Sequence, residues 1–366
     1  MFKRHYRSLP ISTFLTLCAL TFGCSTNYEK QVVISFDAKQ TYASPILASF
    51  ARQFPKDEFQ VVKRSLEPGY KHLSSQSEGA SLHENPEGDV VWDSDLLRTL
   101  KQQRQGLLQS RSWAVSRNWP SSFQASDGTW VAFAARARVI LINDQAIDPT
   151  ALPDSVCDLG GAQWIDKCGV ASLSSPSVRA HWATIASQCD AIKLDASKDQ
   201  SIATDKQTLD FEKWTDRLSQ NVKIYDDEKQ VASAVVRGEI HWAVVDSDIG
   251  IAMRDQNPSL RIAFPDQTNS GFGAVLIPDT VSVLANSKNP KVAGRLADFL
   301  VSDEVEARLT ISDSATIPIN PAPKELSRLL KGVDVKWAKT EYGKLLDAWE
   351  NVVELSAAKL RSNQRN

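Results

Sequence analysis

Short apolar runs and amphipathic stretches take turns along the first part of the chain. Gln31–Phe36 (QVVISF) is a β-branched run of strand length, and Tyr42–Phe54 sets Ile46, Leu47, Phe50 and Phe54 at helical spacing. Phe59–Lys63 (FQVVK) and Asp89–Trp92 (DVVW) read as two more strands, with a polar loop at Ser74–Glu87 between them. Leu96–Gln109 reads as the next helix, weakened towards its end by Gly106. Alternation of strand and helix predicts an α/β fold with parallel sheet and covering helices.

Further on, Trp130–Asn143 (WVAFAARARVILIN) is the longest strand-like stretch. Its apolar residues run on both sides of Arg136 and Arg138, the pattern of a strand passing between two lobes. Pro153–Gly169 reads as loop, Val178–Gln188 and Phe211–Gln220 as helices, and Phe211, Trp214 and Leu218 share one face of the second. Val222–Tyr225 is a strand, Glu228–Val236 a helix, and Ile240–Val245 a strand ending in Asp246-Ser247-Asp248. Arg261–Pro265 and Gly273–Ile277 read as strands, Val292–Val301 and Glu304–Thr310 as helices, and 323–359 as helical almost throughout. No internal repeat is visible.

The first residues change this picture. Lys3, Arg4, His5 and Arg7 precede an apolar run from Ile11 to Phe22, too short to span a bilayer and of the length of a secretory signal. The run ends at Thr21-Phe22-Gly23-Cys24, which resembles the bacterial lipobox, so residues 1–23 are expected to be a signal peptide and Cys24 the site of lipidation. The expected location is the cell envelope, with a membrane anchor through the lipid. The 366 residues are 42% hydrophobic and carry a formal net charge of −2, so no global field favours nucleic acid, and none is expected as a partner. Cys157, Cys168 and Cys189 remain after export to an oxidising compartment, which allows one bridge and one leftover thiol. Cys157 with Cys168, closing a short loop that holds Gly160-Gly161, is the disulfide candidate; the other two pairings stay open.

Six blocks in order resemble the ferric-type family of periplasmic solute-binding proteins. They are VVISFDAKQTYASPILASFARQF, GDVVWDSDLLRTLKQQRQGLL, GTWVAFAARARVILIND, VVRGEIHWAVVDSDIGIAM, PDTVSVLANSKNPKVAGRLADFLVSDEVEARL and SATIPI, covering roughly Gln31 to Asn320. The resemblance implies a type II, two-lobed periplasmic-binding-protein-like fold with a hinge of crossing strands. Lobe one would hold 30–135 plus 268–320, lobe two 139–263, and 321–366 would be C-terminal helices. It further implies a monomeric receptor of an ABC importer, with the permease and ATPase subunits as partners and a small-molecule or ion ligand held in the cleft between the lobes.

Four stretches would then face the cleft: the loop from Asp37 to Tyr42, the turn Trp92-Asp93-Ser94-Asp95, the segment Leu173–His181, and Asp246-Ser247-Asp248. In iron-binding members of that family one His, one Glu and two adjacent Tyr hold ferric ion. Their places fall here on Lys39, Ser94, Asp248 and Ile249, so the tyrosinate set is not kept. What remains is acidic at Asp93, Asp95, Asp246 and Asp248, fit to clamp an amine or a divalent cation or, equally, to cap the helices that follow. Trp92 could stack on a cationic or aromatic group. Ser174 and Ser175 precede a helix opened by Pro176, an arrangement suited to an anion. Arg136 and Arg138 could add bidentate donors to that anion or, equally for Arg136 and more so for Arg138, be structural partners of a carboxylate such as Asp246. His181 is near the expected cleft; His241 reads as packed or surface.

No GxSxG, HExxH or comparable constellation is present, so no enzyme and no cofactor is expected. The reading is a substrate-binding lipoprotein of an ABC importer that captures a metal ion such as iron, or a small amine or phosphonate. The alternative is a sensor or structural lipoprotein that kept the fold without transport.

Overall fold

The computed structural model describes residues 31–36, 40–55, 60–65, 88–115, 119–194, 199–312, 314–320 and 327–352. Cys24, Asp37, Lys39 and the polar loop at Ser74–Glu87 lie outside them. Nine strands join in one mixed sheet, in the order β2-β1-β3-β9-β4-β7-β5-β6, with β8 also on β4. The strands are β1 (Gln31–Phe36), β2 (Gln60–Ser65), β3 (Val90–Asp93), β4 (Trp130–Asn143), β5 (Cys168–Ala171), β6 (Val222–Tyr225), β7 (Trp242–Asp246), β8 (Leu260–Ala263) and β9 (Leu276–Val283). Eight α-helices cover them: α1 (Gln40–Gln53), α2 (Leu96–Arg104), α3 (Pro176–Gln188), α4 (Phe211–Asn221), α5 (Glu228–Val236), α6 (Ser247–Arg254), α7 (Pro290–Leu300) and α8 (Asp303–Ile311). A further helical stretch, α9, covers 345–352. Among the described residues no helix is long and apolar enough to cross a membrane.

The sheet has two halves that share β4. From Trp130 to Ala137, β4 pairs with β9; from Arg138 onward it pairs with β7 and β8. In the first half β1 runs parallel to β2 and β3, and in the second β5 runs parallel to β6 and β7. The pairings of β4 and β9 are antiparallel, so the all-parallel expectation holds only away from the crossing. Alternation along β4 sorts its side chains to two faces. Ile140 and Ile142 enter a large apolar core that spans both halves, whereas Val139 and Leu141 enter a smaller one with Val231, Val235 and Ile251.

At the crossing the register of β4 against β9 shifts between Phe133 and Arg136, leaving Ala134 and Ala135 opposite Pro278. Proline has no N–H for a ladder bond, and a bulge is where a strand tolerates it. This is why β9 runs on past Ile277, where the sequence pattern ended it. Ala134 takes a left-handed φ of 50°. The backbone groups freed by the bulge find other partners: Ala135 exchanges hydrogen bonds with Ile317, and Ala134 N donates to the Glu306 carboxylate at 3.1 Å. Ile319 N and Asn320 N donate to the same carboxylate. Burial pushes the Glu306 carboxyl up, and these three N–H groups oppose the rise.

Other departures from the pattern have local causes. Helix α2 stops at Arg104, because Gly106 adopts a left-handed φ of 70° and the chain turns out. Within the expected loop 153–169, short 3-10 turns form at Val156–Gly160 and Ala162–Trp164, and β5 begins at Cys168. The expected C-terminal helix is absent from 333–341. Gly332 has a φ of 73°, and the chain then runs extended beside Ala274, whose N–H donates to Lys336 O and whose carbonyl accepts from Ala338 N. The β-branched Val333 and Val335 suit that conformation.

The expected Cys157–Cys168 disulfide is not formed: Cys157, Cys168 and Cys189 are all thiols. Cys157 is in a 3-10 turn packed on α4, whereas Cys168 opens β5 with its Sγ turned to Trp164 O at 3.5 Å. Burial, with Asp158 and Asp166 adding, pushes the Cys168 thiol up to about 12, so it is an inert core group.

Candidate solute-binding site

The two Asp-Ser-Asp turns each follow a strand that borders the crossing, one in each half. In the first, β3 ends at Asp93 and α2 begins at Leu96, which makes Asp95 the helix cap; its Oδ1 accepts from Arg98 N at 3.4 Å. Asp93 is fully buried, accepting from Asp95 N at 2.7 Å and from Arg98 Nε at 2.7 Å. In the second, β7 ends at Asp246 and α6 begins at Ser247. Asp246 stands at the cap position without a side-chain cap bond, so its carboxylate is available elsewhere.

It goes to the arginines of β4. Arg138 Nη1 donates to Asp246 Oδ1 at 2.7 Å and to Glu228 Oε1 at 2.8 Å, and Arg138 Nη2 donates to Val244 O at 3.2 Å. Ser177 Oγ donates to Asp246 Oδ2 at 2.6 Å, and Glu228 Oε2 accepts from Asp246 N at 3.2 Å. Arg138 is thus the structural partner of Asp246, with Glu228 as a second anion. Burial alone would raise the Asp246 carboxyl, but Arg138 and then Arg136 hold it below the usual carboxylate range. Glu228 goes the other way: burial lifts it to about 7, Arg138 opposes, and the Asp246 charge adds to the rise.

Arg136 is held differently. Its Nη2 lies 3.2 Å from Asp279 Oδ1 and its Nε lies 3.7 Å from Asp246 Oδ2, and that buried Nε has no hydrogen bond. Burial lowers its proton affinity, but Asp279, Asp246, Asp248 and Tyr42, in that order, outweigh burial and raise it. Its side chain is 15% exposed against 1% for Arg138. Asp279 also accepts from Trp92 Nε1 at 2.8 Å. That indole is fully buried, 5.3 Å from the Phe133 ring and 6.4 Å from the Tyr42 ring, so it serves packing and not the stacking on a solute foreseen for it.

The serines divide. Ser247 is fully buried and its Oγ accepts from Ala137 N at 3.1 Å, tying α6 to the crossing. Ser174 is exposed and its hydroxyl reaches Asp226 O at 3.3 Å; Ser175 caps α3 without a side-chain bond, its hydroxyl 3.5 Å from Glu228 Oε1. Asp248 is half-buried in the first turn of α6. His181 is buried with Nε2 unbonded, and burial, with the Arg138 charge adding, keeps it neutral well below its usual range.

The Tyr42, Trp92–Asp95, Leu173–His181 and Asp246–Asp248 stretches therefore do meet around Arg136, Arg138 and Arg179. Arg98, Glu228 and Asp279 lie outside the four expected stretches; Ser177 and Arg179 lie within Leu173–His181, where the sequence assigns no role to the Arg179 side chain. Glu228 sits at the first position of a helix capped by Asp227, where an acid is ordinary, so its sequence context hid it. Asp279 follows Pro278, which masked the strand that carries it. Two surface cavities lie elsewhere: one of about 580 Å³ between Phe264–Asn269 and Val333–Lys336, one of about 520 Å³ beside Trp164 and His241.

The structure is similar to that of a ferric binding protein from Campylobacter jejuni, with a TM-score of 0.70 and 21% identity over 88% of this chain and 98% of that one. It is similar to Trichodesmium FutA, solved with iron and citrate, with a TM-score of 0.70 and 19% identity over 90% and 98% of the two chains. Iron-bound HitA from Pseudomonas aeruginosa gives 0.64 and 18% over 88% and 99%. At such identities the likeness is one of fold, the type II periplasmic-binding-protein fold. No curated protein matches the chain. The family model for bacterial extracellular solute-binding proteins matches residues 85–344, most of the chain and all of the crossing. The chain belongs to the bacterial extracellular solute-binding proteins, a family of binding components of ABC transport and not of enzymes.

Proposed function

We propose that this protein is the monomeric receptor of an ABC importer, held at the cell envelope by a lipid on Cys24. Its two halves, 30–135 with 268–320 and 139–263, would close on a small solute above the crossing of β4. The observation that carries this reading is the charged floor at that crossing. Arg136 stands where β4 passes from one half to the other, with Asp279 from β9 and Asp246 from β7 beside it and a buried Nε left unbonded. A guanidinium with unsaturated donors at a domain junction is suited to orient a charged organic solute.

The second reading is iron, favoured by what the structural neighbours are named for. Against it, no three His, Cys, Asp or Glu side chains among the described residues stand as a metal set. Oxygens of Asp93, Asp95 and Asp246 are already committed to arginines.

Native mass spectrometry of the full chain with Fe(III) and citrate, Ca²⁺, Zn²⁺, spermidine, thiamine and phosphonates separates the two. A 1:1 complex with an organic ion, lost in Arg136→Gln, is the expected result. Tight binding of Fe(III) alone would overturn the organic reading and assign the aspartates as its ligands. A folded chain that binds none of these probes would sink the receptor proposal itself.

A further inference from the structure

Asp95 and Arg179 meet where α2 of the first half packs on α3 of the second. Arg179 Nη2 donates to Asp95 Oδ2 at 2.6 Å, and the two side chains are 1% and 2% exposed. Each partner is fixed on its own side. Asp95 Oδ1 caps α2, and α2 is tied to β9 by Thr99 and Thr280, whose hydroxyls lie 2.6 Å apart. Arg179 Nη1 donates to Leu173 O and Ser174 O, the turn that leads from β5 into α3, at 2.9 Å each. Arg136 also has carboxylates of both halves beside it, Asp279 and Asp246, but it stands on β4, the crossing strand itself. The other two arginines differ. Arg98 pairs with Asp93 inside the first half, and Arg138 pairs with Glu228 and Asp246 inside the second.

We infer that the Asp95–Arg179 pair is a latch between the halves, a helix-to-helix charged contact that must break whenever they separate about β4 and β9. A buried pair is costly to part if either charge stays in the dry interior. Here the two charges ride on helices of different halves, so separation carries both into water together. The pair therefore holds the junction shut while remaining able to release it, which a pair inside one half cannot do. The latch is independent of which solute the chain binds.

Asp95→Asn tests it. Asn caps a helix as well as Asp does, so α2 keeps its cap and loses only the charge facing Arg179. Asp210, which caps α4 through Lys213 N at 3.1 Å within the second half, provides the matched control as Asp210→Asn. Amide hydrogen exchange of the full chain should show α2 and the first two turns of α3 exchanging at least tenfold faster in Asp95→Asn. The strand amides of both halves should be unmoved, and Asp210→Asn should leave the junction as in the wild type. An unchanged junction in Asp95→Asn overturns the latch, as does an equal acceleration over the whole chain, which would mark an ordinary contribution to folding. If Asp95→Asn does not fold, exchange of the wild type in sub-denaturing urea decides. Junction amides that open ahead of global unfolding support the latch, and junction amides that open only with it overturn it.

Discussion

The turns Asp93-Ser94-Asp95 and Asp246-Ser247-Asp248 have the same three residues at the same place in their halves, between a strand end and a helix start, yet they do different work. In the first the helix begins after the third residue, so Asp95 caps it and Asp93 turns back to Arg98. In the second the helix begins at the middle residue, so Asp246 faces the crossing strand and Ser247 is drawn into the interior. A shift of two residues in helix start decides which carboxylate stands at the cap: the third of the first turn, which does cap its helix, or the first of the second turn, which turns to the crossing strand instead. The difference lies in what is packed nearby. β4 presents Arg138 to the second turn, whereas the first faces Arg98 of its own helix and Arg179 of α3.

The comparison breaks most visibly at Arg138. Arg138→Ala leaves Glu228 and Asp246 without their shared cation in a buried site, and should cost about 3–5 kcal/mol. Urea unfolding followed by circular dichroism measures it; a loss under about 1 kcal/mol would mean that the Arg138 cluster behaves as an exposed ion pair.

A smaller effect depends on pH. The Glu228 carboxyl lies at about 7 in the folded chain, above its ordinary value of 4.5. Between those values the folded state holds a proton that the unfolded chain releases, so this group's stabilisation is complete at low pH and is lost as pH rises through 7. The slope is at most about 1.4 kcal/mol per pH unit. His181, kept neutral by burial, acts in the opposite direction as pH falls below its ordinary 6.5. The contribution of Glu228 is therefore read as the difference between wild type and Glu228→Gln from pH 5 to 8. A difference independent of pH would remove Glu228 from the cluster.

The smallest expected change sharpens the contrast of the middle serines. Ser247→Ala strands the buried Ala137 N–H at the crossing and should cost about 1 kcal/mol in the same unfolding measurement. No change would show that the hydroxyl of Ser247 is as dispensable as a surface one.

Much of the fold could be read from the residues. β1, β4, β6 and α5 have the limits that their apolar patterns predict, since a long run such as Trp130–Asn143 has no helical alternative that buries it as well. β9 was cut short because Pro278 reads as a stop when its bulged partner is unseen. The C-terminal stretch 323–359 reads as helix almost throughout, but 333–341 is held extended by backbone bonds to Ala274. At the site, Asp95 and Asp246 announced themselves as charges at or just past strand ends, and Arg136 as a charge inside a long apolar strand. Arg179 and Glu228 did not, because charge on a helix is ordinarily a solvated face.

Hydrophobic periodicity and chain order alone determined that this is an α/β chain with one long strand and acids at strand ends; its two halves came from the resemblance to the periplasmic solute-binding family. The periodic features arise from residues close in sequence, where propensity and side-chain period decide. Tertiary structure alone decided that Asp246 joins Arg138 and Glu228, that Asp95 reaches Arg179 in the other half, that Glu306 holds the bulge at Ala134, and that Cys157 and Cys168 stay apart. Each of these depends on which elements come to lie side by side in a dry interior, where an unpaired charge or N–H is costly and the partner is whatever the topology delivers.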